Sequence, residues 1–368
     1  MHLKSLVLAN IRSPNVGNGA LVTGTINSFI KSKPGYQLHP ELYSWDDITF
    51  SNSVFPETFF QKLQDFQLLL IPGAVTFNGR ADHTRGGSRL NLNIDELNKI
   101  KVPVVAQGLS YRHWRNDLYP NLKALTEFLS EINSNDRFLI GLRNDGTKTW
   151  LQETTGVELN NLPECPDPGF FVCPPRYNEV GRNLFISVNF EDSKERYQNL
   201  ESLGNLTKAL AESCELFCRN TDEQVVFVPH SFEDYEMILM ICSILKPKTL
   251  HQRVRVLSLP GFENHMSIYE EYRNARAVVA MRIHSLSPAL GMRIPTMVIS
   301  TQQRMSVYMK NLNLANQLTA YDSSDLMEAC ITFINEIVDG SFNFERQDLA
   351  IVEQVQLAEK FYEKAKFL

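Results

Sequence analysis

The chain has 368 residues, of which 43% are hydrophobic and 21% are charged. This length suggests two domains, and this composition excludes a disordered or fibrous chain. The 36 lysines and arginines are outnumbered by 42 aspartates and glutamates, giving a formal net charge of −6. This balance excludes the basic surface of a nucleic-acid-binding protein, so any bound anion must be held by a local cluster of cations.

Targeting and metal-binding patterns are absent from the sequence. No stretch approaches eighteen apolar residues, so no transmembrane helix is predicted. The apolar part of the N-terminus is too short for a secretion signal, which favours a cytoplasmic location. None of the six cysteines forms a CxxC pair, and no histidine completes a zinc set near them. We therefore predict buried reduced thiols, no metal and no cofactor.

Short apolar runs alternate with amphipathic stretches along the first part of the chain. Runs such as 66–71 and 102–107 are apolar without interruption and end at Gly or Pro, which is typical of parallel strands buried on both faces. In 122–132 the apolar residues recur at helical spacing instead. The predicted strands here are 3–11, 66–71, 102–107 and 138–142, and the predicted helices are 20–30 and 122–132.

Five prolines and one glycine interrupt this alternation between residues 159 and 178. Such a stretch predicts a linker between domains. The alternation then restarts and continues to the end of the chain. The predicted strands of this part are 184–188, 225–228, 254–259, 277–281 and 296–300, and its helices include 200–217, 267–275, 322–338 and 345–366.

Two successive β/α runs predict an α/β protein with two Rossmann-like, doubly wound domains facing a cleft. We expect an N-terminal domain at 1–165, a proline-rich linker at 166–180 and a C-terminal domain at 181–342. The terminal helix, 343–368, is long enough to cross back and pack on the first domain. Ligands of such folds bind outside the carboxyl ends of the strands, so functional residues are expected just after each strand.

The segment after the first strand contains Asn15, Gly17 and Asn18. Its glycines predict a tight turn that opens a helix, whose N–H groups can hold an anion or a sugar hydroxyl. It is neither a GxGxxG nor a Walker A loop, which excludes nucleotide binding by those motifs. Taken alone, the segment is more simply explained as a strand-to-helix turn with an asparagine cap.

Two further candidates follow strands in the middle of the chain. Arg143 leaves the strand at 138–142 near a predicted helix start, where a guanidinium can grip a carboxylate or phosphate. A surface pair with Asp145 explains it equally well. His230 lies at a strand-to-helix corner, where it is either a cleft residue or a capping or core histidine.

The most informative segment follows the strand at 277–281. It places Arg282 and His284 two residues apart at a strand end, where a helix start favours anions. Arg304 comes just past the next predicted strand and can converge on the same point. Cations gathered at strand ends in an acidic protein suggest a small, multiply charged anion, with chance placement as the competing explanation.

Taken together, these segments resemble the polysaccharide pyruvyl transferase family over most of the chain. The most specific match is Arg282-Ile283-His284 with Gly291 and Pro295 downstream, which resembles the family's RxH motif. The other matching segments are Asn15-x-Gly17, Gly141-Leu142-Arg143-Asn144 with Trp150-Leu151 and Gly156 after it, Pro166-Asp167-Pro168-Gly169-Phe170, and Val228-Pro229-His230.

The resemblance implies a GT-B-like fold and a reaction in cell-surface polysaccharide biosynthesis. The enolpyruvyl unit of phosphoenolpyruvate, a substrate rather than a cofactor, would move to a sugar diol, forming a cyclic ketal and releasing phosphate. His284 would move the proton, with Arg143 and Arg304 also catalytic. The residues implied to bind the donor are Arg143, Arg282, Ile283, His284, Arg304 and His230.

The acceptor is less well defined than the donor. The resemblance implies an acceptor side in the first domain, with Asn15, Gly17 and Asn18 as its candidate residues. The saccharide acceptor is left open as lipid-linked, nucleotide-linked or polymeric. A lipid-linked acceptor would bring the protein to the inner face of the membrane without spanning it.

Two departures from the family pattern bear on the function. Asn18 replaces the family's aspartate, which removes a carboxylate, and Arg304 stands where relatives commonly carry lysine, which keeps the charge but not a proton-transfer role. Two alternatives stay open. One is a GT-B glycosyltransferase that uses a nucleotide sugar, and the other is an inactive carbohydrate-binding relative.

Overall fold

A computed structural model describes residues 1–51, 53–78, 85–112, 119, 121–177, 180–191, 197 and 200–365. The chain forms two compact units. The first unit contains Met1–Ser13, Leu21–Phe171 and Glu353–Leu368. The second contains Pro14–Ala20 and Val172–Val352. Within the described residues, no helix is long and apolar enough to cross a membrane.

The first unit is built on a parallel sheet. Its strands are β1 (His2–Ala9), β2 (Gln37–Ser44), β3 (Leu68–Pro72), β4 (Val75–Asn78), β5 (Val104–Arg112), β6 (Phe138–Arg143) and β7 (Glu164–Cys165). They lie in the order β2-β1-β3-β5-β6-β7, with β4 paired to β5. Its helices are α1 (Val16–Ser32), α2 (Asp46–Ser51), α3 (Glu57–Leu63), α4 (Ile94–Lys99), α5 (Leu122–Ser134) and α6 (Thr147–Thr155), with a short 3₁₀ helix at Pro168–Phe171.

Local sequence explains why these elements form. Every residue of β3 is buried, as expected of a parallel strand covered on both faces. Helix α5 buries Leu125, Phe128, Leu129 and Ile132 on one face. Its start is fixed by Asn121, whose side-chain oxygen accepts from the Ala124 N–H at 3.2 Å, because an unpaired N–H of the first turn needs such an acceptor.

The second unit is also built on a parallel sheet. Its strands are β8 (Asn183–Ser187), β9 (Val225–Phe227), β10 (Val254–Val256), β11 (Ala275–Ala280), β12 (Thr296–Ser300) and β13 (Leu318–Ala320). They lie in the order β10-β9-β8-β11-β12-β13, which is the Rossmann order 3-2-1-4-5-6. The order reverses between β8 and β11, and ligands of such sheets bind at that reversal.

Helices cover this second sheet. They are α7 (Leu200–Asn220), α8 (Asp234–Cys242), α9 (Pro247–Arg253), α10 (Met266–Tyr272), α11 (Ile283–Gly291), α12 (Gln303–Asn311) and α13 (Leu326–Asp339). The long helices α7 and α13 bury apolar residues such as Leu210, Phe217 and Ile334 against the strands. The last helix, α14 (Glu345–Glu363), begins in the second unit and ends in the first.

The predicted fold class of two Rossmann-like α/β units is confirmed, but some boundaries move. The segment 14–20, predicted in the first domain, belongs to the second unit. The segment 166–180 is not a plain linker, because Pro168–Phe171 forms a buried 3₁₀ helix of the first unit. Strand β2 was not predicted because it is an edge strand with mostly exposed residues and a proline at position 40, which an apolar pattern cannot reveal.

Candidate functional site

The candidate site lies in the second unit, where the strand order reverses. The segments that leave β8, β9 and β11 meet there, because parallel strands end at one edge of the sheet. They carry Val188 after β8, His230 after β9 and Arg282 after β11. His230, Arg282 and His284, which the sequence predicted to be functional because they follow strands, therefore lie together at this edge of the sheet.

Arg282 joins these segments through its buried guanidinium. Its Nε donates to the Val188 carbonyl at 3.2 Å, and its Nη2 donates to Ser231 Oγ at 2.8 Å and to Asp234 Oδ1 at 2.7 Å. Its Nη1 donates to Glu191 Oε2 at 2.9 Å. Burial alone would lower the pKa of Arg282, but the two carboxylates outweigh it and raise the pKa. The guanidinium is therefore a permanent, oriented cation.

Asp234, one of the two carboxylates that bind Arg282, is fully buried. Besides Arg282, its Oδ1 accepts from the Phe190 N–H at 2.9 Å. Its Oδ2 accepts from the N–H groups of His230 at 2.8 Å and Ser231 at 3.1 Å. Helix α8 begins at Asp234, so these bonds fix the segment after β9 to the start of that helix.

His230 is fully buried between charged neighbours. Burial, followed by the positive charge of Arg282, lowers the pKa of His230 to about 3. Its imidazole is therefore neutral at neutral pH. Among the described residues, neither of its ring nitrogens has a hydrogen-bond partner, which is costly for a buried polar group.

His284 packs on the first turn of α1. A Cβ atom added at Gly17 would lie 2.2 Å from His284 Nδ1, so only glycine leaves room for the imidazole. The Gly17 N–H donates to Asn15 Oδ1 at 2.9 Å, which makes Asn15 the cap of α1. Helix α1 begins at Val16, so the predicted tight turn is wrong. A glycine is needed at position 17 because His284 lies so close to it, and not because the backbone there is left-handed.

A second histidine packs on the same helical turn. A Cβ atom at Gly19 would lie 2.1 Å from the His265 ring. His265 Nδ1 is 2.6 Å from the Phe262 carbonyl oxygen, so Nδ1 carries the proton in the neutral ring. Burial lowers the pKa of His265. The Tyr269 hydroxyl donates to the His284 carbonyl at 3.1 Å, which ties α10 to the start of α11.

Arg143 is not a surface residue and belongs to the first unit. Its side chain is fully buried, with Nε 2.9 Å from Asp167 Oδ2 and Nη1 4.0 Å from Asp145 Oδ2. The predicted surface pair with Asp145 is therefore wrong in its location. The predicted grip of Arg143 on a donor gains no support, because its guanidinium has no exposed face.

The remaining predicted residues lie around the site in the second unit. Ile283 is the buried first residue of α11, and Asn18 is a half-buried residue of the first turn of α1. Arg304 lies in the first turn of α12, where its Nε donates to Gln302 Oε1 at 2.8 Å. Because α12 follows β12, Arg304 lies at the same sheet edge as Arg282.

Sequence reasoning missed two carboxylates of the site. These are Asp234 and Glu191, neither of which the sequence pattern assigns to the site. The available signal was their position, because both follow a strand of the predicted sheet by a few residues. Metal binding gains no candidate here, since the described residues contain no group of three His, Cys, Asp or Glu side chains suited to a metal ion.

Comparison with solved structures supports the fold assignment. A UDP-GlcNAc 2-epimerase from Neisseria meningitidis bound to UDP-GlcNAc is 11% identical at a TM-score of 0.54, covering 98% of this chain and 100% of that one. OtsA in its apo state is 11% identical at a TM-score of 0.52, with 99% of each chain covered. The ADP-heptose LPS heptosyltransferase II of E. coli is 10% identical at 0.50, covering 92% and 99%. These are GT-B proteins, and at such identities they show the fold alone.

Comparison of sequences identifies the family. No curated protein matches the chain. The family model described as polysaccharide pyruvyl transferase matches residues 15–303. This match begins at Asn15 and includes His230, Arg282 and His284. The chain belongs to the polysaccharide pyruvyl transferase family.

Proposed function

We propose that this protein transfers the enolpyruvyl unit of phosphoenolpyruvate to two hydroxyls of a saccharide, forming a cyclic ketal and releasing phosphate. The observation that carries the proposal is the contact between Gly17 and His284. It joins the two family motifs at the strand reversal of a Rossmann sheet, where small ligands bind. The acceptor class follows from the family, and the donor and the ketal chemistry are the proposal.

Arg282 offers one edge to the donor. Asp234 and Ser231 hold its Nη2 inside the protein, whereas Glu191 on Nη1 has a side chain that is 39% exposed. A donor carboxylate or phosphate can therefore replace Glu191 on Nη1 without disturbing the buried bonds. The N-terminus of α11 lies beside this edge and favours an anion.

His284 supplies the proton in the proposed reaction. A saccharide hydroxyl adds to the carbon that carries the phosphate, and a proton from His284 converts the methylene group to a methyl group. The proton released by that hydroxyl returns to the imidazole. A second hydroxyl then bonds to the same carbon as the bond from that carbon to the phosphate oxygen breaks, and the proton of this hydroxyl leaves with the phosphate. Imidazole suits this role because it exchanges protons near neutral pH. Arg304, at the same sheet edge, would stabilise the departing phosphate.

The acceptor would approach along the first turn of α1. Asn15 and Asn18 are polar residues on this turn, next to the glycine that contacts His284. Amide groups pair well with hydroxyls because they both donate and accept. We propose that a saccharide, polymeric or lipid-linked, binds there, and that the protein works in the cytoplasm.

Thermal stabilisation by candidate donors tests this proposal against a nucleotide-sugar glycosyltransferase. Phosphoenolpyruvate should raise the melting temperature because a ligand that binds only the folded state stabilises it. UDP-GlcNAc and ADP-glucose should leave the melting temperature unchanged. Stabilisation by a nucleotide sugar, with none by phosphoenolpyruvate, would overturn the proposal.

A further inference from the structure

We propose that Asp234 is the positioning residue of this site, acting through Arg282 to hold the cation that receives the donor. The inference rests on the proposed function. It adds a residue that the sequence pattern does not assign to the site. Asp234 does not face the donor in this account, and it acts by fixing the groups that do.

The hydrogen bonds of Asp234 join the three segments of the site. Its two oxygens accept four bonds, from Phe190 after β8, from His230 and Ser231 after β9, and from Arg282 after β11. A carboxylate has about four acceptor positions, so this one is fully used. The bonds from His230 and Ser231 stay within the turn before α8, so the bonds from Phe190 and Arg282 serve another purpose.

The charge of Asp234 matters because of where its partner lies. Arg282 is only 7% exposed and Asp234 is fully buried, and a buried cation needs a buried counter-charge. The other carboxylate on Arg282, Glu191, is part-exposed and is the one that a donor can replace. Asp234 therefore keeps Arg282 oriented while its Nη1 edge changes partner.

Without this counter-charge, Arg282 would turn toward Glu191, the carboxylate that remains. The Glu191 carboxylate would then bind Arg282 Nη1, the group proposed to receive the donor, more tightly. Loss of the Asp234 charge should therefore raise the KM for phosphoenolpyruvate more than it lowers kcat. A purely structural residue would lower the folded fraction and leave the KM of the folded molecules unchanged.

The test compares Asp234→Asn with a matched control, Asp348→Asn. The control also breaks an aspartate–arginine pair in the second unit, since Asp348 Oδ2 accepts from Arg293 Nη2 at 2.9 Å, but it does so away from the strand reversal. We expect Asp234→Asn to raise the KM for phosphoenolpyruvate about tenfold or more, as the loss of a buried charge partner does. Asp348→Asn should leave the KM unchanged.

A double-mutant cycle separates action through Arg282 from a general effect. Arg282→Lys keeps the charge but cannot make the same set of bonds. If Asp234 acts through Arg282, Asp234→Asn should change the KM by much less in the Arg282→Lys background than in the wild type. Multiplicative effects of the two substitutions on KM, or a KM that Asp234→Asn leaves unchanged, would overturn the inference.

A wild-type protein that does not turn over phosphoenolpyruvate would instead overturn the proposed function. A variant that fails to fold is replaced by Asp234→Glu, which keeps the charge but misplaces it and should also raise KM.

Discussion

Three histidines of the second unit differ in their surroundings, and those surroundings assign them different roles. His230 is fully buried beside Arg282, which keeps it neutral. His265 is fixed by the Phe262 carbonyl. His284 is only partly buried and packs on Gly17. Of the three, His284 combines a fixed position at a helix start with access for a ligand, as a proton donor requires.

Replacement of His284 by glutamine should remove turnover and leave donor binding in place. The loss of a general acid lowers the rate about 10²–10⁴-fold. Phosphate release and melting temperature, measured on the same sample, check this. Phosphoenolpyruvate should still raise the melting temperature of His284→Gln. Near-normal phosphate release by the folded variant would remove His284 from the mechanism.

Replacement of Glu191 by glutamine should improve donor binding. The Glu191 carboxylate competes with the donor for Arg282 Nη1, and a half-exposed ion pair is worth about 1 kcal/mol. The KM for phosphoenolpyruvate should therefore fall about fivefold, since each 1.4 kcal/mol is tenfold in affinity. Glu223→Gln, which removes the ion pair with Arg182, is the control and should not alter KM. A rise in KM for Glu191→Gln would show that Glu191 assists the donor.

For individual residues, the sequence indicated where the functional side chains lie along the chain better than which side chains they contact. His230, Arg282 and His284 were found because they follow strands, and the structure brings them together. Their partners Asp234 and Glu191 were not assigned to the site, because hydrogen bonds between segments about forty residues apart or more leave no local pattern. Arg143 was placed correctly at a strand end, but its burial depends on Asp167, which no spacing rule identifies.

At the scale of elements, the first turn of α1 is the feature that shapes the site. It begins at Val16 with Asn15 as its cap, and its glycines face histidines of the second unit. The sequence predicted an anion-favouring helix start here but explained the glycines by a turn. Spacing alone cannot distinguish a glycine that bends the backbone from one that admits a neighbouring side chain.

Gly17→Ala should therefore impair catalysis without a change in the helix. The new methyl group would collide with the His284 ring, and a misplacement of about 1 Å costs about 10²-fold in rate. The overpacking should also lower the free energy of unfolding by about 1–3 kcal/mol. Phosphate release per folded molecule is the measurement.

Gly204→Ala is the matched control for this substitution. Gly204 lies within α7, and nothing lies within 4 Å of its added Cβ. Alanine there should stabilise the protein by about 0.5–1 kcal/mol and leave turnover unchanged. Unaltered turnover in Gly17→Ala as well would contradict the role given to the contact with His284.

For the molecule as a whole, the sequence was sufficient to predict the fold class but not the boundaries of the two units. The alternation of apolar strands and amphipathic helices predicted two Rossmann-like units, because each buried parallel strand carries its own signal. Short or exposed strands such as β2 and β13 carry no such signal. The membership of 14–20 in the second unit depends on tertiary contacts, which local patterns do not contain.

The buried neutral histidine should make the stability of the protein depend on pH. The pKa of His230 is about 3 in the folded state and about 6.5 in an unfolded chain. Between these values the unfolded state binds more protons, so the stability that His230 contributes is complete above pH 6.5 and is lost as the pH falls. The slope from this one group is at most about 1.4 kcal/mol per pH unit.

Urea unfolding at pH 7 and pH 5 checks this dependence. His265, whose pKa burial also lowers, contributes in the same direction. His230→Gln should reduce the difference in unfolding free energy between the two pH values. His251 is exposed, so the control substitution His251→Gln should leave that difference unchanged. An identical difference in the wild type and His230→Gln would show that His230 is not buried in its neutral form.

We propose that this protein forms a pyruvate ketal on a saccharide at the site containing His284. The most direct measurement is mass spectrometry of saccharides with free diols after incubation with phosphoenolpyruvate, alongside phosphate release. We predict a saccharide product that gains pyruvate with loss of water, one phosphate released for each product, and no product from folded His284→Gln. Transfer of a sugar from UDP-GlcNAc or ADP-glucose, with no pyruvate-bearing product from phosphoenolpyruvate, would contradict the claim.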